Sequence, residues 1–311
     1  MKAISLSRVQ KQGRNMALGL FRLLLFSVLA FVVLYPILTD VSSAFMSVED
    51  VYDMSVRYLP KHFTLKNVRL VWERMNLNEA LPNSVFIVLS VSLLQTFVST
   101  WVGYGLAKFR FFLSKPLLLI AVLGMLIPTD LLLVPLYSIF SNFDPLGLCT
   151  LFQGETVSLI NTPWSLILLA VTGTGFRCGL YILLMYQYFR GMPAELEEAA
   201  YIDGAGPIRT FFAVMLPSAK AMMLTVALFC CVWTWLDTNF TPVLLPDYPT
   251  IAGNFSTIQL IKDASGTSFG KAQLNLLVSA GSVILILPML LLYVFTQRYF
   301  VQSVERSGLV G

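Results

Sequence analysis

The sequence predicts an all-α, polytopic membrane protein with six transmembrane helices and both termini in the cytoplasm. Three observations lead there. Mean hydropathy is +0.75 with only 12% charged residues, far from the balance of a soluble globular chain. The apolar residues gather in uncharged runs about as long as the ~20 helical residues that cross a bilayer core. The runs are continuous rather than alternating, so they read as helices and not as barrel strands.

The first run, 21–38, carries Arg22 at its edge. A basic start, an apolar centre and the small residues Ser42 to Ala44 are also the ingredients of a cleaved signal peptide. The run is longer than a usual signal core, however, and is read as a retained span. The second run covers 83–107. The third, 116–140, is interrupted by Asp130 between Pro128 and Pro135, and the fourth, 162–189, holds Arg177 near its middle. The fifth and sixth cover 211–236 and 274–300. No internal repeat relates the first three runs to the last three, which removes support for a pseudo-symmetric secondary carrier.

Lysine and arginine are retained on the cytoplasmic side. With the amino terminus inside, 13 basic residues fall there: Lys2, Arg8, Lys11, Arg14, Arg22, Lys108, Arg110, Lys115, Arg190, Arg209, Lys220, Arg298 and Arg306. Seven fall outside: Arg57, Lys61, Lys66, Arg69, Arg74, Lys262 and Lys271. The net charge of +4 is therefore topological and points to no nucleic acid. Residues 1–20 are read as a cytoplasmic segment, 21–300 as the membrane domain with a cytoplasmic loop at 190–217, and 301–311 as a cytoplasmic tail. In the first external loop, the stretch from His62 mixes charged and apolar residues and predicts a short amphipathic helix.

Catalytic or metal chemistry finds few groups to work with. Cys149, Cys178, Cys230 and Cys231 lie in or beside apolar runs without metal-ligand spacing, and are read as structural. His62, the sole histidine, is read as solvated and cannot make a zinc site alone. A membrane-embedded lipid or glycan enzyme would need converging acids, histidines or a nucleophile, and a gradient-driven carrier would need ionisable pairs at mid-membrane. The candidates at depth are Arg177 and Asp130, both considered for the translocation path. Arginine at mid-bilayer costs about 2.5–3.5 kcal/mol, so it faces protein interior or water; the alternative is a shifted span or snorkelling toward one interface, with the flanking TGTGF irregular. Trp233 and Trp235, at the outer end of the fifth run, are read as interfacial anchors rather than as sugar-stacking platforms.

The polar stretch PAELEEAAYIDGAGPIRTFFAVMLP, 193–217, predicts a helix, a glycine turn and a second helix. Pro193 fits a first turn, and Glu195, Glu197 and Glu198 complement the positive end of the helix dipole. Asp203 to Gly206 break the pattern at residues that tolerate left-handed backbone. Pro207 restarts it, with Phe211, Phe212 and Val214 as apolar positions. A short rigid ledge between two membrane spans would transmit force to both.

Glu195 to Ala205, with Phe211 and Leu216-Pro217 at their spacing, resembles the EAA motif of ABC importer membrane subunits. Other stretches are similar to the carbohydrate-uptake branch that includes the maltose-transporter permease: FTLKNV at Phe63, NSVFIV at Asn83, GYGLAKFRF at Gly103, IPTDLLLVPLY at Ile127 and QRYFV at Gln297. The resemblance implies a permease subunit, not an enzyme, moving a sugar or oligosaccharide across the cell membrane by alternating access. It implies a cytoplasmic ATPase dimer carrying ATP and Mg, a second permease subunit in a heterodimer, and an external substrate-binding protein. The chain has no GxxxxGKS/T phosphate loop of its own. Carried onto this sequence, Glu198 is the acid that docks on the ATPase, Ala199 and Ala200 allow close approach and Gly204 makes the turn. Glu195, Asp203, Ala205, Phe211, Leu216 and Pro217 complete the coupling set. The sequence departs from the family pattern at Ala221, where many members have proline, in its tail, and in a longer 142–161 segment.

Overall fold

The computed structural model describes residues 6–109, 111–260 and 269–308. The expectations for Lys2, Arg110, Lys262 and 309–311 fall outside the described residues. In chain order the helices are α1 (Leu6–Ala44), α2 (Val48–Tyr52), α3 (Lys66–Arg74), α4 (Leu77–Lys108), α5 (Ser114–Gly124), α6 (Thr129–Ser141), α7 (Leu148–Gln153), α8 (Trp164–Val171), α9 (Cys178–Arg190), α10 (Glu195–Ile202), α11 (Pro207–Thr210), α12 (Leu216–Ser218), α13 (Lys220–Trp235), α14 (Phe240–Leu244), α15 (Ile251–Ser256) and α16 (Lys271–Gly308). Among the described residues there is no strand beyond an isolated antiparallel bridge between Phe143 and Val157.

Among the described residues, the six expected membrane runs do not all form single unbroken helices. Three stretches among the described residues are long and apolar enough to cross a bilayer: Arg14–Ala44, Leu77–Lys108 and Lys271–Gln297. Two more runs are bent pairs, α5 with α6 at 103° and Pro207–Ser218 with α13 at 75°. The run at 162–189 is split into α8 and α9, of 8 and 13 residues, around a Gly- and Thr-rich break. Apolar length reports how much chain sits in hydrocarbon, whereas Gly and Pro decide whether its backbone stays helical.

The chain divides into two compact units. The first comprises 1–71 and 261–284. Within it, Asn67 donates to the carbonyls of Ala44 and Met46 at 3.2 and 2.8 Å, satisfying groups left over where α1 stops. Asp50 is buried and accepts from the backbone N–H of Lys61 and His62, and its Oδ1 lies 2.7 Å from His62 Nδ1. Burial alone would raise the Asp50 carboxyl, but the bonds from His62 outweigh it and hold it below its ordinary value. His62 is thus exposed, as expected, yet tied to a buried acid. The expected amphipathic helix after His62 forms as α3, with Asn67 and Val71 buried.

Asp53 accepts from Ser55 Oγ and N at 2.7 and 2.9 Å and from Lys61 Nζ at 3.1 Å. These bonds, the Ser55 hydroxyl first, lower its pKa to about 2. A depressed carboxyl stabilises the fold above its unfolded value and loses that contribution as pH falls through the folded one. Protection of the Ser55 amide, corrected for intrinsic exchange, is therefore expected to hold from pH 7 to about pH 4 and to fall towards pH 2. Asp53→Asn should remove it at every pH.

The second unit comprises 72–260 and 285–311. Its centre is α4, packed chiefly on α9 and α13 and then on α8. In hydrocarbon, helices gain little by hiding apolar surface from one another, so close packing at small residues carries association. Gly103 is such a place: a Cβ there would sit 2.7 Å from Met185 Cβ and 2.9 Å from Tyr186 N. Gly103→Leu should force α4 and α9 apart at a cost of about 1–3 kcal/mol or more, seen as lost monodispersity and a lower Tm in detergent. Gly105, with open space around it, is the control and should accept alanine.

Polar side chains within these helices bond one turn back: Thr100 to Thr96 O, Thr225 to Ala221 O and Thr172 to Leu168 O. Cys230 and Cys231, though adjacent, both reach α4, at Gln95 Oε1 (3.2 Å) and Ser92 Oγ (3.1 Å). Trp235 is not the expected interfacial anchor. It is buried, with its indole donating to Leu285 O at 2.8 Å. The long 142–161 segment is a closed excursion. Phe143 and Val157 exchange backbone bonds and Asp144 caps α7 through Cys149 N and the Thr150 hydroxyl.

Candidate functional site

The polar stretch at 193–217 folds into the expected helix, glycine turn and second helix. α10 starts at Glu195, two residues after Pro193, with Glu195, Glu197 and Glu198 in its first turn. It ends at Ile202; Gly204 follows with a φ of +79°, where an L side chain is strained, and Ala205 N returns to Ala200 O at 2.9 Å. Pro207 opens α11. A π-helical turn at Phe211–Met215 follows.

α10 has two faces. Glu195, Glu198, Ala199, Ile202 and Asp203 are exposed, while Ala200 is buried and Glu197 largely so. Ala200 therefore packs within the chain itself rather than facing outward. Glu197 accepts a hydrogen bond from Tyr104 OH at 3.0 Å. Its other oxygen lies 3.3 Å from Lys108 Nζ, with the two side chains 13% and 12% exposed. Lys108 also donates to Met192 O at 3.3 Å. The last turn of α4 thereby holds both ends of the approach to α10.

An aromatic cluster fastens the other side. The Phe211 ring lies 4.8 Å from Tyr104 and 5.4 Å from Trp101, and Tyr104 lies 5.3 Å from Phe189. Tyr104 thus joins the ring cluster and the Glu197 carboxylate. Leu216 is partly buried and Pro217 exposed, leading to the bend before α13.

Sequence reasoning missed Glu197 as a fixed anchor, reading it only as a dipole complement, and counted Lys108 only for topology. The available signal was periodicity. Glu197 and Ala200, three apart, share the face opposite Glu195, Glu198 and Ala199.

Deeper in the unit, α8 and α9 are separated by a break at 172–177. Gly173 has φ +71° and Arg177 φ +57°. Gln95 of α4, fully buried, donates to Phe176 O at 2.9 Å, replacing a helical partner that the break removes. Here lies a cavity of about 390 Å³, lined among others by Gln95, Thr129, Thr174, Arg177, Thr234 and Asp237. Arg177 thus lies in an irregular segment at the cavity rather than inside a helix. Its guanidinium carbon stands 3.6 Å from the Trp233 ring centre and 5.0 Å from that of Phe176. Asp130 is exposed in the first turn of α6, next to Thr129 but not itself on the cavity wall.

Among known proteins, residues 95–306 match the family described as binding-protein-dependent transport system inner membrane component. The chain is 30% identical over 280 residues to the diacetylchitobiose uptake system permease protein of Streptomyces coelicolor, covering 89% of this chain and 84% of that protein. It is 29% identical over 293 residues to the maltodextrin transport system permease protein of Bacillus subtilis, covering 93% and 95%. Its fold is shared with a chain in the crystal structure of a bacterial ABC transporter involved in the import of the acidic polysaccharide alginate, at a TM-score of 0.70 and 22% identity, covering 92% of this chain and 98% of that one. With the apolar helices and the two-faced ledge, these matches place the protein: it is a multi-pass membrane transport subunit, not an enzyme, and belongs to the inner membrane component family of binding-protein-dependent ABC transporters.

Proposed function

We propose that this chain is the permease of an ATP-driven importer for a sugar or oligosaccharide, working by alternating access. A loaded binding protein docks on the outer loops, ATP with Mg closes a separate ATPase dimer, and the ledge passes that movement to the bundle. A second permease subunit completes a heterodimer. The relatives named for diacetylchitobiose and maltodextrin uptake support a carbohydrate cargo.

The observation that carries this reading is the division of α10 into an inner face tied to α4 and an outer face left exposed. Glu198 is the docking acid, with Glu195, Ala199, Asp203 and the turn at Gly204 around it. Phe211, Leu216 and Pro217 pass the motion into α13, while Ala200 and Ala205 keep the turn compact. The lysine and arginine count supports a cytoplasmic ledge and cytoplasmic termini.

The test is reconstitution of the chain with its ATPase, second permease and binding protein in liposomes. ATP-driven uptake of labelled oligosaccharide that requires every component is expected. Uptake driven by an ion gradient without ATP would reject the reading.

A further inference from the structure

Resting on the importer reading, we propose that Arg177, with Phe176 and Trp233, forms a recognition site for the carboxylate of an acidic sugar passing through the cavity at the α8–α9 break.

The position is built rather than incidental. Arg177 holds left-handed backbone at φ +57°, a conformation unfavourable for a residue with a side chain. Neighbouring Phe176 is pinned by the buried Gln95. Such strain persists where the surroundings over-determine it, and clusters at functional sites.

Depth gives the charge its meaning. Arg177 lies about 20 Å along α9 from Arg190, and Trp233 about 20 Å along α13 from Lys220. With Arg190 and Lys220 at the cytoplasmic border, both side chains stand in the outer half of a core about 30 Å thick. Among the described residues no carboxylate pairs with Arg177. Asp237 lines the same cavity, but its oxygens take the N–H groups of Asn239, Phe240 and Thr241 and the Thr241 hydroxyl. The acid caps α14 instead of neutralising the arginine.

The remaining chemistry fits an anionic sugar. A guanidinium offers parallel N–H donors matched to a carboxylate, and stacking on Trp233 fixes its plane. The cavity, about 390 Å³, lies in the range of small-ligand sites. Gln95, Thr174 and Thr234 on its wall suit sugar hydroxyls, and aromatic faces suit pyranose rings.

The test uses the assembled transporter in nanodiscs without binding protein, followed by tryptophan fluorescence. The probes are a galacturonate trimer, its methyl ester and a neutral galactose trimer. The free acid should bind about tenfold more tightly than the ester or the neutral trimer. Arg177→Gln should abolish that preference, and Arg177→Lys should keep part of it. Equal binding of acid and ester by the unaltered protein, a comparison needing no variant, overturns the proposal, as does a preference surviving in Arg177→Gln. ATP-driven uptake by the same transporter, reconstituted with its binding protein in liposomes, separates the two readings. Uptake without acid preference overturns this site alone, whereas absence of any ATP-driven uptake overturns the importer reading and this site with it.

Discussion

Glu197→Ala is expected to reduce sugar uptake per ATP hydrolysed about tenfold or more while the ATPase remains bound. The substitution leaves the exposed face of α10 untouched and removes its tie to α4. Lys108 loses its carboxylate and keeps Met192 O, and Tyr104 OH loses its acceptor. Breaking a fully buried pair costs about 3–5 kcal/mol and an exposed one about 0–1 kcal/mol. A pair whose partners are 12% and 13% exposed lies between, at about 2 kcal/mol, enough to shift a two-state linkage by over a factor of ten. A double-mutant cycle with Lys108→Met and Glu197→Gln isolates the pair and should return a coupling energy of about 1–3 kcal/mol in thermal unfolding. Additive effects would show that the ledge is held by packing alone.

Gly204→Val is expected to abolish stable assembly with the ATPase. Nothing lies within 4 Å of a Cβ built on Gly204, so volume is not the obstacle. The φ of +79° is, since a β-branched residue there is a conformational outlier. The turn would open, releasing the Ala205 N to Ala200 O bond and re-aiming α10 relative to α11. Asparagine tolerates left-handed backbone better than other side chains, so Gly204→Asn should restore much of the assembly read by co-purification. Equal failure of Asn and Val would mean that the ATPase needs the absent side chain itself.

The ledge was legible in the sequence because its signals are local. Glutamates at a helix start, glycine at a turn and proline at a restart each act within a few residues. The two faces of α10 were less so. Their assignment depends on Lys108 and Tyr104, about ninety positions earlier, which nothing in 193–217 announces. Membrane runs were found from hydropathy, but not the 103° bend between α5 and α6 nor the split at Arg177. There the outcome turns on whether a buried side chain such as Gln95 can take over a freed carbonyl. Trp235 was misread for a related reason: tryptophan near the end of an apolar run is commonly interfacial, but the carbonyl of Leu285 gives its indole a buried partner.

The central claim is that the outer face of α10 meets the ATPase while its inner face holds α4. Single cysteines placed in turn at 195–203 of the assembled transporter, treated with a short thiol-directed cross-linker, test it most directly. Cross-links to the ATPase are predicted at Glu198→Cys, Ala199→Cys and Ile202→Cys and not at Glu197→Cys or Ala200→Cys. Cross-linking that ignores this periodicity, or that occurs at Glu197→Cys and not at Glu198→Cys, would contradict it.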